Sequence, residues 1–265
     1  MRPPRVIDLH THLLPGVDDG SPTLEHSAMV LNRFAVDGVR TVVCTPHLAA
    51  SDSSQAPIDI HLDLLRQLQG VAPDGMTLVP GWEIMLDIPG ALARRAGLSL
   101  GTSRATLVEW PRATVPAWAS AELLRLRGLG LVPLVAHVER YRGITLELVR
   151  EWRELGAVMQ SDATILVAGG AMCELAKEML ALGLIDVLAS DNHGDRRTLQ
   201  MARWWLTEIG FPDQAVLLTE TNPMRLLRDE AMLPVHGVQF EHGALARLRA
   251  WWRGRRQDAT HELEG

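Results

Sequence analysis

The stretch Arg5-Val6-Ile7-Asp8-Leu9-His10-Thr11-His12 begins as a β-rich apolar run and ends on two histidines two residues apart. Side chains two apart on a strand leave the same face, so His10 and His12 can hold one metal ion together. Six more short runs follow: Thr41 to Cys44, Thr77 to Pro80, Ala105 to Trp110, Leu131 to Ala136, Ala157 to Gln160 and Val187 to Ala189. Between them, Leu24 to Ala35, Ile58 to Leu68, Ala117 to Arg127, Leu146 to Leu155, Cys173 to Leu182 and Leu199 to Ile209 carry apolar residues at helical spacing. Strands alternating with helices predict an α/β fold of βα units around a parallel sheet. Seven repeats at this length suit a closed or nearly closed barrel better than an open sheet. The run Ala49 to Pro57, with Ser51-Asp52-Ser53-Ser54-Gln55, reads as a mobile loop.

At 265 residues, 47% hydrophobic and 22% charged, the chain is predicted to form one large globular domain, which excludes disorder. Cys44 and Cys173 are too few for a disulfide framework, and Met1-Arg2-Pro3-Pro4-Arg5 leads into a strand pattern without a secretory core. A reducing cytoplasm is therefore expected. No apolar run approaches the roughly 20 residues of a transmembrane span. A net charge of −6 gives no general attraction to nucleic acid, so an anionic ligand must be met locally. Arginine supplies almost all the positive charge, since Lys177 is the only lysine.

Chemically active side chains sit at or just after the strand ends, which in a parallel barrel open onto the active-site face. After His10 and His12, the turn Gly16-Val17-Asp18-Asp19-Gly20 can swing a carboxylate back toward the pair. Thr45-Pro46-His47, Gly81-Trp82-Glu83, Glu109, His137-Val138-Glu139-Arg140 and Asp191-Asn192-His193 follow in turn. An acid among apolar neighbours, such as Glu109, needs a partner, either a metal ion or an arginine. His10, His12, Asp19, His47, Glu83, Glu109, His137, Asp191 and His193 are nine imidazole or carboxylate donors, too many for one ion. They point to two or three clustered divalent ions: manganese, iron, zinc or cobalt by ligand type. His26, His61, His236, His242 and His261 follow no strand in this way and are expected to be structural or solvated.

In order and spacing these motifs resemble the polymerase and histidinol phosphatase (PHP) superfamily. Within it, they resemble the bacterial metal-dependent protein-tyrosine phosphatases of capsule and exopolysaccharide synthesis. The resemblance covers roughly residues 5 to 230 and implies a distorted, TIM-like (β/α)7 barrel of PHP type. It also implies three divalent ions, often manganese, and hydrolysis of phosphotyrosine on the tyrosine kinases that regulate polysaccharide export. Carried over by motif, His10, His12, Glu83, Glu109 and Asp191 surround the first ion and its bridges. His47 and His137 complete the second, and Asp19 and His193 hold the third. Arg140 matches a phosphate-binding arginine, and register with Met201-Ala202 favours Arg197 over Arg196 as the other. In such a site metal binding can lower the pKa of water to about 7, supplying a bridging hydroxide for in-line attack on phosphorus.

Rival classes fit less well. A cysteine-dependent tyrosine phosphatase needs an arginine six residues after its thiolate, where Cys44 has Ala50 and Cys173 has Met179. A binuclear amidohydrolase with a carbamylated lysine would need that lysine before the later histidines, whereas Lys177 follows His137 inside a helix pattern. Within the superfamily the alternatives are a histidinol phosphatase-like small-molecule phosphatase or a phosphodiesterase. A degenerate, non-enzymatic barrel leaves the full donor set unexplained. The domain reading is a barrel over 1–240 and a basic, Trp-containing helix and tail over 241–265. There, Arg247, Arg249, Arg253, Arg255 and Arg256 beside Trp251 and Trp252 match either a peripheral membrane or anion-docking segment, or a last helix packed on the barrel.

Overall fold

Strands buried on both faces read as nearly continuous Val/Ile/Leu runs, and the chain's β-rich stretches become strands, of which those at Val6–Thr11, Val158–Asp162 and Val187–Ala189 are buried throughout. In the computed structural model, which describes residues 5–239, they are β1 (Val6–Thr11), β2 (Val39–Cys44), β3 (His47–Ala49), β4 (Thr77–Pro80), β5 (Glu83–Met85), β6 (Ala105–Glu109), β7 (Val132–Val135), β8 (Val158–Asp162) and β9 (Val187–Ala189). The helices are α1 (Leu24–Val36), α2 (Ile58–Val71), α3 (Ala119–Gly128), α4 (Leu146–Glu154), α5 (Ile165–Ala168), α6 (Ala171–Ala181), α7 (Gln200–Glu208), α8 (Pro212–Val216) and α9 (Asn222–Leu227). The fold is α/β with parallel sheets. One sheet has the order β1-β2-β4 and the other β3-β5-β6-β7-β8-β9.

Each strand expected from sequence is present, and β3 and β5 are additional. They arise where β2 and β4 are interrupted, at Thr45-Pro46 and Gly81-Trp82, and change hydrogen-bonding neighbours. Proline has no N–H to donate to a ladder, and the carbonyl of Pro46 instead accepts from Glu83 N at 3.1 Å. Next to the first of these breaks, where Thr45 N donates to the Thr11 carbonyl at 2.8 Å, a parallel bridge between Thr11 and Asn192 brings the end of β1 beside the chain leaving β9.

The helices cover the sheets through their apolar stripes. In α1, Val30, Leu31 and Phe34 are buried, each worth roughly 1.5–3 kcal/mol of transfer free energy. Thr23 caps this helix by accepting from His26 N, and Thr145 caps α4 through Leu148 N. Trp110, Trp152 and Trp205 are the largest fully buried side chains. The segment expected to be a mobile loop is built into the structure instead. Ala50–Gln55 forms a 3-10 turn with Ala50 and Ser53 buried. Arg95 donates to the Ser53 carbonyl at 2.7 Å, and Asp87 accepts from both N–H and O–H of Ser51. Local polarity signalled a loop, but these distant partners order it. Among the described residues no helix is long and apolar enough to cross a membrane. The Arg/Trp segment Leu245 to Arg256 lies outside the described residues.

Candidate metal centre

Strand alternation puts Asp8 and His10 on one face of β1, with His12 in step just beyond its end, and all three are fully buried. The end of β1 is laced to the chain after β9: Asp191 N donates to the His10 carbonyl at 3.1 Å and His12 N to the Asn192 carbonyl at 2.8 Å. Asp8 Oδ1 strengthens this seam by accepting from Ser190 N at 3.1 Å. Two motifs nearly 180 residues apart are thereby set side by side. His10 Nε2 and His12 Nε2 lie 3.1 Å apart. Glu83 Oε2 is 3.2 and 3.3 Å from them, and Asp191 Oδ1 3.2 and 3.4 Å.

Glu83 is the hub. Its partner across the β3–β5 ladder is His47, whose Nδ1 is 3.0 Å from Glu83 Oε2 and 3.7 Å from Glu109 Oε1. His137 Nε2 is 2.9 Å from Glu83 Oε1. On the outer side Asp19 Oδ1 lies 3.4 Å from both His47 Nε2 and His193 Nε2. The His193 ring stacks on His12 with centroids 4.0 Å apart. All nine donors singled out in the sequence thus meet in one cluster. Three overlapping sets have ligand atoms within 4.8 Å of one another: His10, His12 and Glu83; His47, Glu83 and Glu109; and His12, Asp19, His47 and His193.

The electrostatics of the carboxyls diverge. Burial alone would raise Glu83, but His10, His12 and His137 hold it well below its ordinary value. Burial and the Glu83 charge push Glu109 up to about 7. Asp191 is lowered despite burial, by His10, His12 and Arg140. His137 and Asp191 are also non-glycine residues in the left-handed region, with φ of 31° and 49°. Such backbone costs on the order of 1–3 kcal/mol per residue and persists where the surroundings hold it.

Three side chains outside the donor set read from the sequence support it. Asp18 Oδ2 is 2.7 Å from His12 Nδ1 and also takes His47 N, while Asp18 Oδ1 takes Gly20 N. A carboxylate only accepts, so Nδ1 carries a proton and Nε2 is the nitrogen left to face the cluster. Gly20 is required here because a Cβ would stand 2.1 Å from the His12 carbonyl oxygen. The Gln160 amide nitrogen lies 3.1 Å from His10 Nδ1, so β8 also contributes a polar contact that holds the His10 ring. Asp162, fully buried, pairs with Arg140.

Arg140 and Arg197 converge on one atom. Arg140 Nη1 is 2.7 Å and Arg197 Nη1 3.1 Å from Asp191 Oδ2, while Arg196 is exposed. His26 and His61 stand apart from the donor sets. His26 Nε2 bonds the Gly194 carbonyl at 2.6 Å, and the His61 ring stacks on Trp82. His242 and His261 lie outside the described residues.

The donor set fits divalent ions. It is rich in imidazole nitrogen and carboxylate oxygen, Asp18 sets a ligand tautomer, and His137 Nδ1 is buried with no protein partner. The rival chemistries lack their parts. Burial pushes the Cys44 thiol up to about 12, and Lys177 Nζ lies in α6, 3.5 Å from Glu174 and 5.9 Å from the Trp205 ring centroid.

The family model described as capsular polysaccharide synthesis, CpsB/CapC, matches residues 6–228. The chain belongs to the CpsB/CapC family. Among relatives in that family, it is 27% identical over 237 residues to the tyrosine-protein phosphatase YwqE of Bacillus subtilis, covering 86% of this chain and 93% of the relative. It is 27% identical over 241 residues to the tyrosine-protein phosphatase CpsB of Streptococcus pneumoniae, covering 85% and 99%. A solved structure from work on YwqE and CpsB, described as unique metal-dependent tyrosine phosphatases, superposes with a TM-score of 0.71 at 25% identity over 88% of this chain and 99% of that one. A phosphotriesterase homology protein from Escherichia coli shares the fold alone, with a TM-score of 0.51 at 14% identity over 86% and 100%.

Proposed function

We propose that this CpsB/CapC chain is a metal-dependent protein-tyrosine phosphatase, a phosphoric monoester hydrolase acting on phosphotyrosine of a bacterial tyrosine kinase. The observation that carries the reading is the convergence of nine nitrogen and oxygen donors beside two arginines that share Asp191 Oδ2. Relatives named as tyrosine phosphatases across nearly their whole length support it.

We read the strands as seven staves of a distorted (β/α)7 barrel over residues 1–240, β2 continuing into β3 and β4 into β5. The Thr11–Asn192 bridge supports closure between the first and last staves. His10, His12, Asp19, His47, Glu83, Glu109, His137, Asp191 and His193 would hold two or three divalent ions, with manganese the leading choice and iron, zinc or cobalt compatible. Bound there, such ions lower the pKa of water and offset charge on a phosphoryl group.

The chain's own groups supply the rest. Arg140 stays charged because Asp162 and Asp191 outweigh its burial, and Arg197 stands beside it. Two planar guanidiniums suit bidentate capture of phosphate oxygens and stabilise charge on them during in-line displacement. Asp18 and Gln160 hold the His12 and His10 rings in place. A phenolate, with an ordinary pKa near 10, leaves with less proton assistance than an alkoxide.

The test compares turnover by metal-reconstituted protein of a phosphotyrosine peptide, a phosphoserine peptide, histidinol phosphate and a phosphodiester. Preference for the first is expected, with loss of activity in chelator and in His12→Ala. Better turnover of histidinol phosphate or of the diester would move the chain to another phosphatase class.

A further inference from the structure

The rim of the cluster carries a second concentration of arginine that the site itself does not use. Arg112 lies three residues beyond Glu109, and Arg142 two residues beyond Arg140, where the parallel neighbours β6 and β7 give way to loops. The two loops are joined. Arg142 N donates to the Ala113 carbonyl at 2.9 Å, Val115 N to the Arg142 carbonyl at 3.0 Å, and Thr114 forms a parallel bridge with Arg142. Nε and Nη2 of Arg142 donate to Thr114 Oγ1 at 3.3 and 3.1 Å, and that hydroxyl donates to the Arg112 carbonyl at 3.0 Å.

This brace holds an uncommon backbone. Arg112 and Ala113 are consecutive non-glycine residues in the left-handed region, with φ of 57° and 47°. Glycine would occupy such positions at lower cost, so an arginine there needs a reason beyond the turn. Both arginines are exposed, and among the described residues neither is paired with a carboxylate. The nearby loop acid Asp87 is engaged by Ser51. In a chain of net charge −6, the Arg142 guanidinium held by Thr114 and the Arg112 side chain carried on the braced loop beyond β6, neither with a carboxylate partner among the described residues, offer a local anion-recognising edge.

We infer that Arg112 and Arg142 select phosphotyrosine segments that carry Asp or Glu close to the phosphotyrosine. This rests on the phosphotyrosine reading above. The spacing limits the reach: three residues of chain span at most about 10 Å. An extended peptide at about 3.3 Å per residue therefore presents its acids to the rim within about three positions of the phosphotyrosine. Arg140 and Arg197 serve the phosphate, and the rim pair serves the flanks.

The experiment measures kcat/KM on two phosphotyrosine peptides identical except for acidic or neutral flanks. The ratio is read within each variant so that a general loss of activity cancels. Exposed charge pairs are worth up to about 1 kcal/mol each, which is about fivefold per pair. The wild type should favour the acidic peptide about five- to tenfold at low salt, with the preference fading as salt rises. Arg112→Gln with Arg142→Gln should bring the ratio near one, and Arg112→Glu with Arg142→Glu should invert its direction.

Arg112→Gly is the discriminating variant, because glycine accepts the left-handed backbone. A merely structural arginine would leave the ratio unchanged there, whereas a recognising one lowers it. A wild-type ratio near one, or a ratio untouched in the double variant, overturns the inference while leaving phosphotyrosine hydrolysis standing. Hydrolysis of neither peptide, with turnover of the diester or of histidinol phosphate, would instead mark failure of the reading beneath it.

Discussion

Asp18 Oδ2 sits 2.7 Å from His12 Nδ1, so the carboxylate fixes which ring nitrogen bears the proton and turns Nε2 toward Glu83 and Asp191. Removing such an outer partner of a metal-binding histidine typically weakens metal affinity about 10–100-fold. Asp18→Ala should lose affinity by that factor in competition titrations against a chromogenic chelator. Excess metal should restore much of the turnover. Unchanged affinity would mean that the His12 tautomer is set by something else.

The seam between β1 and the chain after β9 makes a stability prediction. Burial pushes the Asp8 carboxyl up to about 6 from 3.8, against the lowering effect of its bonds from Ser190 and His10, and its Oδ2 has no partner. Below about pH 4 the acid is protonated folded and unfolded, and contributes nothing. Between about 4 and 6 only the folded state keeps the proton, so stability falls as pH rises and the full cost is present above about 6. Asp8→Asn keeps an oxygen acceptor for both N–H groups. In chelator-treated protein it should raise stability by on the order of 2–3 kcal/mol above pH 6, with the gain vanishing near pH 4. Denaturant unfolding at the two pH values checks this. A gain of equal size at both would place its origin outside ionisation.

Protons and metal ions compete for the same nitrogens. Burial would lower His12 and His137, but carboxylates, Asp18 for the first and Glu83 for the second, leave both raised. His47 is raised chiefly by Glu83. Raised values mean that protons are retained to higher pH, so metal loading weakens as pH falls. With at least two protons displaced, apparent affinity should drop roughly a hundredfold per pH unit on the acid side. Metal titrations at several pH values read the slope directly, and a flat profile would exclude these histidines as ligands.

Arg140 and Arg197 share one oxygen of Asp191, so each can turn from that carboxylate to a phosphate without leaving its place. Arg140→Lys retains charge but loses the planar fork. Its kcat/KM on a phosphotyrosine peptide should fall by about 10²–10³, the range seen when one transition-state donor is removed. Metal content should stay at the wild-type level. Loss of metal together with activity would recast Arg140 as a support for Asp191.

Much of this arrangement was legible in the chain because the informative signals were local. The alternation of apolar runs placed seven strands, and polar residues at or just after six of their ends pointed to the side chains from His10 to His193 that converge. What escaped depends on contacts between distant segments. Asp18 differs from Asp19 only in which way the turn presents it, and Gln160 reads as an ordinary strand residue until the fold brings its side chain to His10. β3 and β5 are too short to show a period, and Ala50–Gln55 is ordered by Asp87 and Arg95 rather than by its own residues. The left-handed backbone at His137 and Asp191 is only weakly signalled, since neither position is glycine, although His and Asp enter that region more readily than most residues.

The most direct test strips the protein with a chelator and follows hydrolysis of a phosphotyrosine peptide as manganese is returned, with elemental analysis of the bound metal at each step. Turnover should be absent in the stripped protein, appear with added metal and level off at two to three ions per chain. Undiminished turnover by protein shown to contain no metal would contradict the account at its centre.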